Sequence, residues 1–521
     1  DGSAAELMGE GVAIFLADVE GVYDLTLTAT DAEGNAAETT WTVYATTYVG
    51  NGYLDGPEEA EDQCIDCHED TAAAWMMTGH ASMFIQGITG VASSHYGPNC
   101  ISCHTTGFNN RPEAVNGGFD DIAAEAGWSF PEELNADTWD SIVENYPTVA
   151  AMANIQCESC HGPGYLHVFE ATRRESMIGL GLEYGVCAQC HAEDPYHIFP
   201  QQWESSAHAD QNAEAFWYPI GEGRESCVRC HSGYGYIDWA SGAEEVRTDY
   251  STITCAVCHD PHDASSPNQL RVFDSVVLPD GTEVADAGPA ATCMSCHNAR
   301  RDAVAIVDGA ASGEGSFSTP HYSTAAELMN SVGGYTWGVD MPTSPHGNII
   351  DNTCIGCHMA GTPGMNNMGT PDDSSDDQPL PGHNTVGEHT FAMVDASGAE
   401  NVAVCQTCHD GQTSFEFEAF RDYDGDGEFE SNQAEIAGLR ELLQAAIVDA
   451  GVNVLDHHPY FEIPEGADAN LLGTVWNLAF TGSGGSAAHN LRYTVGLLQL
   501  SYEMLTGAPV PDAYLLVSAG M

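Results

Sequence analysis

Cys157-Glu-Ser-Cys160-His161, Cys187-Ala-Gln-Cys190-His191, Cys227-Val-Arg-Cys230-His231 and Cys255-Ala-Val-Cys258-His259 follow one another in a single stretch that ends at His262. His167, His197, His208 and His262 stand between and just after these motifs. Each motif is C-x-x-C-H. Two thiols are spaced to form thioethers with the vinyl groups of one porphyrin, and an imidazole follows at once to ligate the iron, which is the attachment pattern of a c-type haem.

Working outward, five more copies appear: Cys64, Cys67, His68; Cys100, Cys103, His104; Cys293, Cys296, His297; Cys354, Cys357, His358; and Cys405, Cys408, His409. Nine motifs use eighteen cysteines, and the chain has 18, so no thiol remains for a disulfide, a zinc site or a nucleophile. A zinc knuckle or a thioredoxin-like pair also uses Cys-x-x-Cys. Neither requires a histidine immediately after the second cysteine every time. The expected cofactor is therefore nine haem c, and haem attachment outside the cytoplasm implies an exported chain.

Composition narrows the partners. The chain carries 77 Asp and Glu against 12 basic residues, for a formal net charge of -65, and every basic residue is arginine. Phosphate recognition depends on clustered Lys and Arg, so nucleic acid is not an expected partner. Such acidity fits solubility in salty surroundings or attraction of cations. No apolar run reaches the roughly 18 residues that span a bilayer as a helix, so no membrane span is expected.

Residues 1–46 contain neither cysteine nor histidine. Gly21 to Asp31 alternates apolar and polar positions, Ala32 to Asn35 reads as a turn, and Thr39 to Tyr44 alternates again. Residues 47–63 form a Gly-rich acidic linker. The electron-transfer region, 64–420, allots roughly 38 residues to each motif, too few for a conventional core, so haem must supply much of the buried apolar surface. The expected fold is mostly coil with short α-helices around a covalent haem chain, a small N-terminal β segment and a C-terminal helical cap. A helix is expected near Pro131 to Val143, and Asn366 to Pro381 reads as an exposed acidic loop. Residues 421–435 resemble the first half of a calcium loop, with Asp422, Asp424 and Asp426 at alternate positions and then the Glu428 carbonyl. The twelfth position is Gln433, so Glu430 or Glu435 must close such a site. In the cap, 436–521, Ile436, Leu439, Leu443 and Ile447 recur at helical spacing, as do Leu491, Val495, Leu498, Tyr502 and Leu505.

Thirteen histidines lie outside the motifs, a surplus over nine irons. This favours irons held between two histidines. The chosen sixth ligands are His80, His95, His167, His208, His262, His321, His346, His389 and His489. His197, His383, His457 and His458 remain as spares or as ligands donated to a second copy of the chain.

The motifs and the settings of His167, His262 and His489 make the chain resemble extracellular multihaem c-type cytochromes. Within that class it is similar to the filament-forming cytochrome nanowires. Residues 21–35 resemble the closing strands of an immunoglobulin- or PKD-type sandwich. Either the first half of that sandwich was removed, or these strands complete a sheet on another molecule, or they form a small hairpin on the haem region. The resemblance implies an electron carrier that delivers electrons to external acceptors, with other copies of itself and other redox cytochromes as partners. Two further readings stay open. One is a multihaem reductase or oxidase of a nitrogen or sulfur compound, although a lysine-ligated catalytic haem is excluded by the absence of lysine. The other is a metal-reducing cytochrome docked to an outer-membrane conduit.

Overall fold

The computed structural model describes residues 16–51, 64–93, 95–111, 114–170, 177–192, 199–361 and 385–518, together with Ser3 and the short strands 364–366 and 378–380. His197, His383 and most of the acidic loop expected at Asn366 to Pro381 lie outside the described residues. The chain divides into two units. The first comprises Asp1–Cys190 and His259–Gln269, and the second His191–Cys258 and Leu270–Met521.

In the first unit, Gly21–Thr30 pairs antiparallel with Ala36–Ala45 over ten residue pairs. Asp31 closes the turn by accepting from the N–H groups of Glu33 and Asn35, the Asx geometry that suits such residues to reverse the chain. Among the described residues no third strand joins this hairpin, and Trp41 and Leu27 stay exposed. The linker beyond it is not loose at its start. The N–H groups of Val49 and Gly50 donate to Glu158, and that of Asn51 donates to Gln156.

The same unit has its own apolar core, built from Phe84, Phe119, Trp139, Ile142 and Val149 with Trp128 packed alongside. Phe84 meets Phe119 at 5.6 Å and Trp139 at 6.2 Å between ring centres. The helix Phe119–Ala126 starts with Asp120 and Asp121 in its first turn, where carboxylates favour the helix dipole, and stops at Gly127 in the left-handed region (φ 68). The helix expected near Pro131 begins later and runs over Thr138–Asn145. Asn135 takes the N–H of Asp137 on its side chain, and its own N–H donates to Thr138, so local hydrogen bonds hold the preceding residues in turns. Such side-chain bonds compete with helix.

The second unit contains most of the purely protein core. Three helices, Asn432–Asp449, Ala469–Phe480 and Ser486–Thr506, carry Leu443, Ile447, Val475, Trp476 and Leu497 at or near zero exposure. The first helix starts inside the span read as the calcium loop, because Ser431 caps the N–H of Ala434; Asp468 caps the second by accepting from Leu471. These helices are not a detached cap. Trp476 donates to the Gly333 carbonyl, and Asn477 bonds both the N–H and the carbonyl of Tyr335. Burying side chains of that size contributes about 1.5–3 kcal/mol each, which anchors residues 299–341 to the helices. No helix among the described residues is long and apolar enough to cross a membrane.

Candidate functional site

One turn of α-helix places residues i, i+3 and i+4 on a common face. A C-x-x-C-H segment in that conformation points both sulfurs and the imidazole the same way. Cys157–His161, Gly185–His191, Glu225–His231 and Thr353–His358 are each such a short helix. Cys64–Cys67, Ile101–His104 and Cys255–Cys258 supply the same turn in shorter form.

The structure then sets a second imidazole opposite several of the motif histidines. Ring centres lie 6.3 Å apart for His68 and His167, and 5.9 Å for His161 and His262. In the second unit the separations are 5.8 Å for His231 and His321, 6.1 Å for His297 and His208, 6.4 Å for His358 and His489, and 6.2 Å for His409 and His346. An imidazole nitrogen bonds a transition metal at about 2 Å, and its ring centre lies about 1 Å further on, so two rings sharing one metal sit about 6 Å apart. The donor geometry therefore fits an iron between each pair.

Hydrogen bonding selects the nitrogen that faces inward. Nδ1 of His161, His259, His346 and His358 lies 2.5, 2.6, 2.7 and 3.0 Å from the carbonyls of Gly179, Asn268, Ala488 and Phe391. A carbonyl only accepts, so each Nδ1 carries the proton and Nε2 keeps its lone pair for a metal. Burial also keeps several rings neutral, as ligation requires. Desolvation pushes His208, His321 and His489 down to about 4, with neighbouring histidines adding to the effect, and desolvation lowers His80, His231 and His297 as well.

The other chosen histidines are placed differently. His80 is half-buried, His389 packs between Phe199 and Phe391, and His95 stands exposed beside Ser93. Among the motif histidines, His104 stacks on Tyr96 at 5.4 Å. Of the spares, His457 and His458 are exposed, and His457 bonds Asp456.

His80 and His208 each follow a tryptophan by five residues and precede an alanine, a likeness legible in the sequence; the segment that each of these pairs clasps was not. Trp75 donates to the Ile155 carbonyl while Ile155 donates to the His80 carbonyl. Trp203 and His208 bracket Ile253 in the same way. Both isoleucines stand two residues before a motif cysteine, so the signal was W-x-x-x-x-H-A paired with I-x-C.

In the acidic loop, carboxylate oxygens of Asp422, Asp424 and Asp426 lie within 4.8 Å of one another. Asp422 accepts from Gly425 and Gly427, both at positive φ (80 and 93) that glycine tolerates. The backbone N–H groups of Glu428 and Glu430 donate to Asp426 and to Glu435 respectively, which shapes the loop where the Glu428 carbonyl is expected to serve as a ligand. Glu435, 1% exposed, closes the loop from inside by accepting from Tyr423 and Asp424. Burial raises the Asp424 carboxyl, and the neighbouring Asp426, Glu435 and Asp422 raise it further.

Two family models match parts of the chain: the doubled CXXCH motif over residues 248–302, and cytochrome c554 and c-prime over residues 63–127. The multiheme cytochrome MtrA of Shewanella baltica (strain OS185) is 24% identical over 167 residues, a stretch that spans 29% of this chain and 44% of that relative. No solved structure matches.

Proposed function

Starting from a multihaem c-type cytochrome that transfers electrons, which the two family matches and the relative support, we propose that this chain carries nine bis-histidine haems and works as an extracellular conductor. The observation that carries the reading is the set of opposed imidazole rings, 5.8 to 6.4 Å apart. Haem c supplies a reversible one-electron centre at each motif. The cysteine pairs would fix it covalently. Two histidines would close both axial positions, leaving no exchangeable site for a substrate. The carbonyl partners of His161, His259, His346 and His358 fix ring orientation and raise ligand basicity, which lowers the potential of the iron they hold.

His80 serves as a sixth ligand in this reading, because its backbone bracket repeats that of His208, a ring that does face a motif histidine. His95 and His389 complete the set. The enzyme alternative needs one iron with an open position, and none of the six opposed pairs offers it.

Self-assembly into a filament belongs to the same reading. It is supported by the surplus histidines and by a hairpin of two ten-residue strands that exposes Trp41 and Leu27 and pairs with no third strand among the described residues. Asp422, Asp424 and Asp426 would hold calcium, with Glu435 keeping the loop in shape.

Mass spectrometry of the native protein tests the haem count, and paramagnetic resonance tests the ligation. Nine haems with only low-spin signals are expected; a high-spin iron would sink the conductor reading. Electron microscopy under native salt tests assembly, where dispersed single chains would remove the filament.

A further inference from the structure

We infer that the motif Cys293-Met-Ser-Cys-His297 is a junction at which three other attachment motifs converge, so that the electron path branches there. This rests on the haem reading above and adds a connectivity that the order of motifs along the chain does not contain.

The convergence is built around one helix, Gly233–Ala240, which touches three motifs at once. A Cβ on Gly235 would sit 2.6 Å from the Val228 backbone, inside Cys227-Val-Arg-Cys-His231. A Cβ on Gly233 would sit 2.7 Å from the Val257 side chain, inside Cys255-Ala-Val-Cys-His259. Only glycine allows both approaches. From the same helix Tyr236, 2% exposed, bonds Ser295 Oγ at 3.1 Å, inside Cys293–His297.

Other side chains repeat the pattern. Cys296 Sγ lies 3.9 Å from the Arg229 carbonyl, inside Cys227–His231, and Cys354 packs on the buried cluster that holds Met294, inside Cys293–His297. Arg229, from the first of these neighbours, stacks 3.9 Å over the Trp239 ring and donates to the Ser295 carbonyl at 3.0 Å.

The opposing histidines interlock in the same sense. His321, which faces His231, donates its N–H to the Ala299 carbonyl, two residues past His297. His208, which faces His297, is tied through its carbonyl to Ile253, two residues before Cys255. Phe391 lies 5.0 Å from the His208 ring while its carbonyl takes the Nδ1 proton of His358. A motif inside a simple row needs two neighbours; this one is tied to three.

The test is a structure of the haem-loaded full chain. Porphyrin edges from the motifs at Cys227, Cys255 and Cys354 should all approach the haem at Cys293 as closely as neighbours do elsewhere in the row. Two such neighbours, or fewer, overturn the junction. In solution, His208→Ala should turn the iron at His297 high-spin and give it a separate resonance signal. Removing each neighbour in turn by a Cys→Ala pair, at 227 and 230, at 255 and 258, or at 354 and 357, should narrow or shift that signal all three times. A deletion that leaves it unchanged removes that neighbour and the junction with it. If a variant does not assemble, the neighbour count in the native structure decides. Mass spectrometry keeps the two claims apart, since nine bis-histidine haems with only two neighbours at Cys293 would defeat the junction alone.

Discussion

His489 stands one residue before Asn490, whose backbone leaves the helical region (φ -164, ψ 83) inside an otherwise continuous helix. The Asn490 side chain accepts from Ser344 and Tyr493 and donates to the Leu328 carbonyl, so the break is held from three sides. It aims the imidazole at His358, 6.4 Å away. His489→Ala should therefore turn one iron, that of His358, high-spin and able to bind carbon monoxide while the others stay low-spin; an unchanged optical spectrum would refute the pairing. Pairings of this kind are long-range, as between His208 and His297, and no local spacing encodes them. The attachment motifs were legible because the covalent chemistry is local. Which ring faces which was not.

A second residue sets a pH dependence. Glu327 is 1% exposed, and one of its oxygens takes the Ala299 N–H. Burial pushes its carboxyl up from 4.5 to about 7 against that hydrogen bond, with Asp280 adding to the rise. The folded chain thus holds this proton more tightly than the unfolded chain. The group is harmless below pH 4.5, and stability is lost as pH rises from there through about 7. At about 1.4 kcal/mol per pH unit across that window, the loss at pH 8 is on the order of 3 kcal/mol. Glu327→Gln should melt with the parent at pH 4 and above it at pH 8, as followed by differential scanning calorimetry; equal midpoints at pH 8 would contradict the assignment.

At the scale of elements, the amphipathic spacing of Ile436, Leu439, Leu443 and Ile447 marked a helix that the structure contains, although it could not show that the helix packs into the second unit. The N-terminal alternation likewise marked two strands, and the register of the hairpin follows from a turn that Asp31 closes. Less visible was the docking of residues 49–51 on Gln156 and Glu158, because a Gly-rich acidic stretch gives no sign of what will receive its N–H groups. The loop at Asp422–Asp426 is tied to the helix Asn432–Asp449 through Glu435, which accepts from Tyr423 and Asp424, so ion binding there should be felt in stability. Calcium at a hundred times its dissociation constant stabilises by about 2.7 kcal/mol. Chelation should lower the thermal midpoint of the parent, and Asp424→Asn should abolish the calcium response; a parent indifferent to chelator would remove calcium from the loop.

For the whole molecule, a net charge of -65 means that folding gathers like charges. Salt screens that repulsion, with a Debye length of about 10 Å at 0.1 M and about 3 Å at 1 M. Raising sodium chloride from 0.02 to about 1 M should stabilise the chain by on the order of 1 kcal/mol or more, read as a higher midpoint. A midpoint that falls with salt would mean that attractive ion pairs dominate instead.

The tryptophan and histidine that clasp an isoleucine, seen first around Ile155 and again around Ile253, carry a consequence for how such a molecule lengthens. A clasp that recurs with its own cysteines behind it would travel as one unit in a duplication, complete with the parts that seat it. Reach can then grow by tandem duplication, each added copy bringing its own fittings, while both ends of the molecule keep the surfaces they already had.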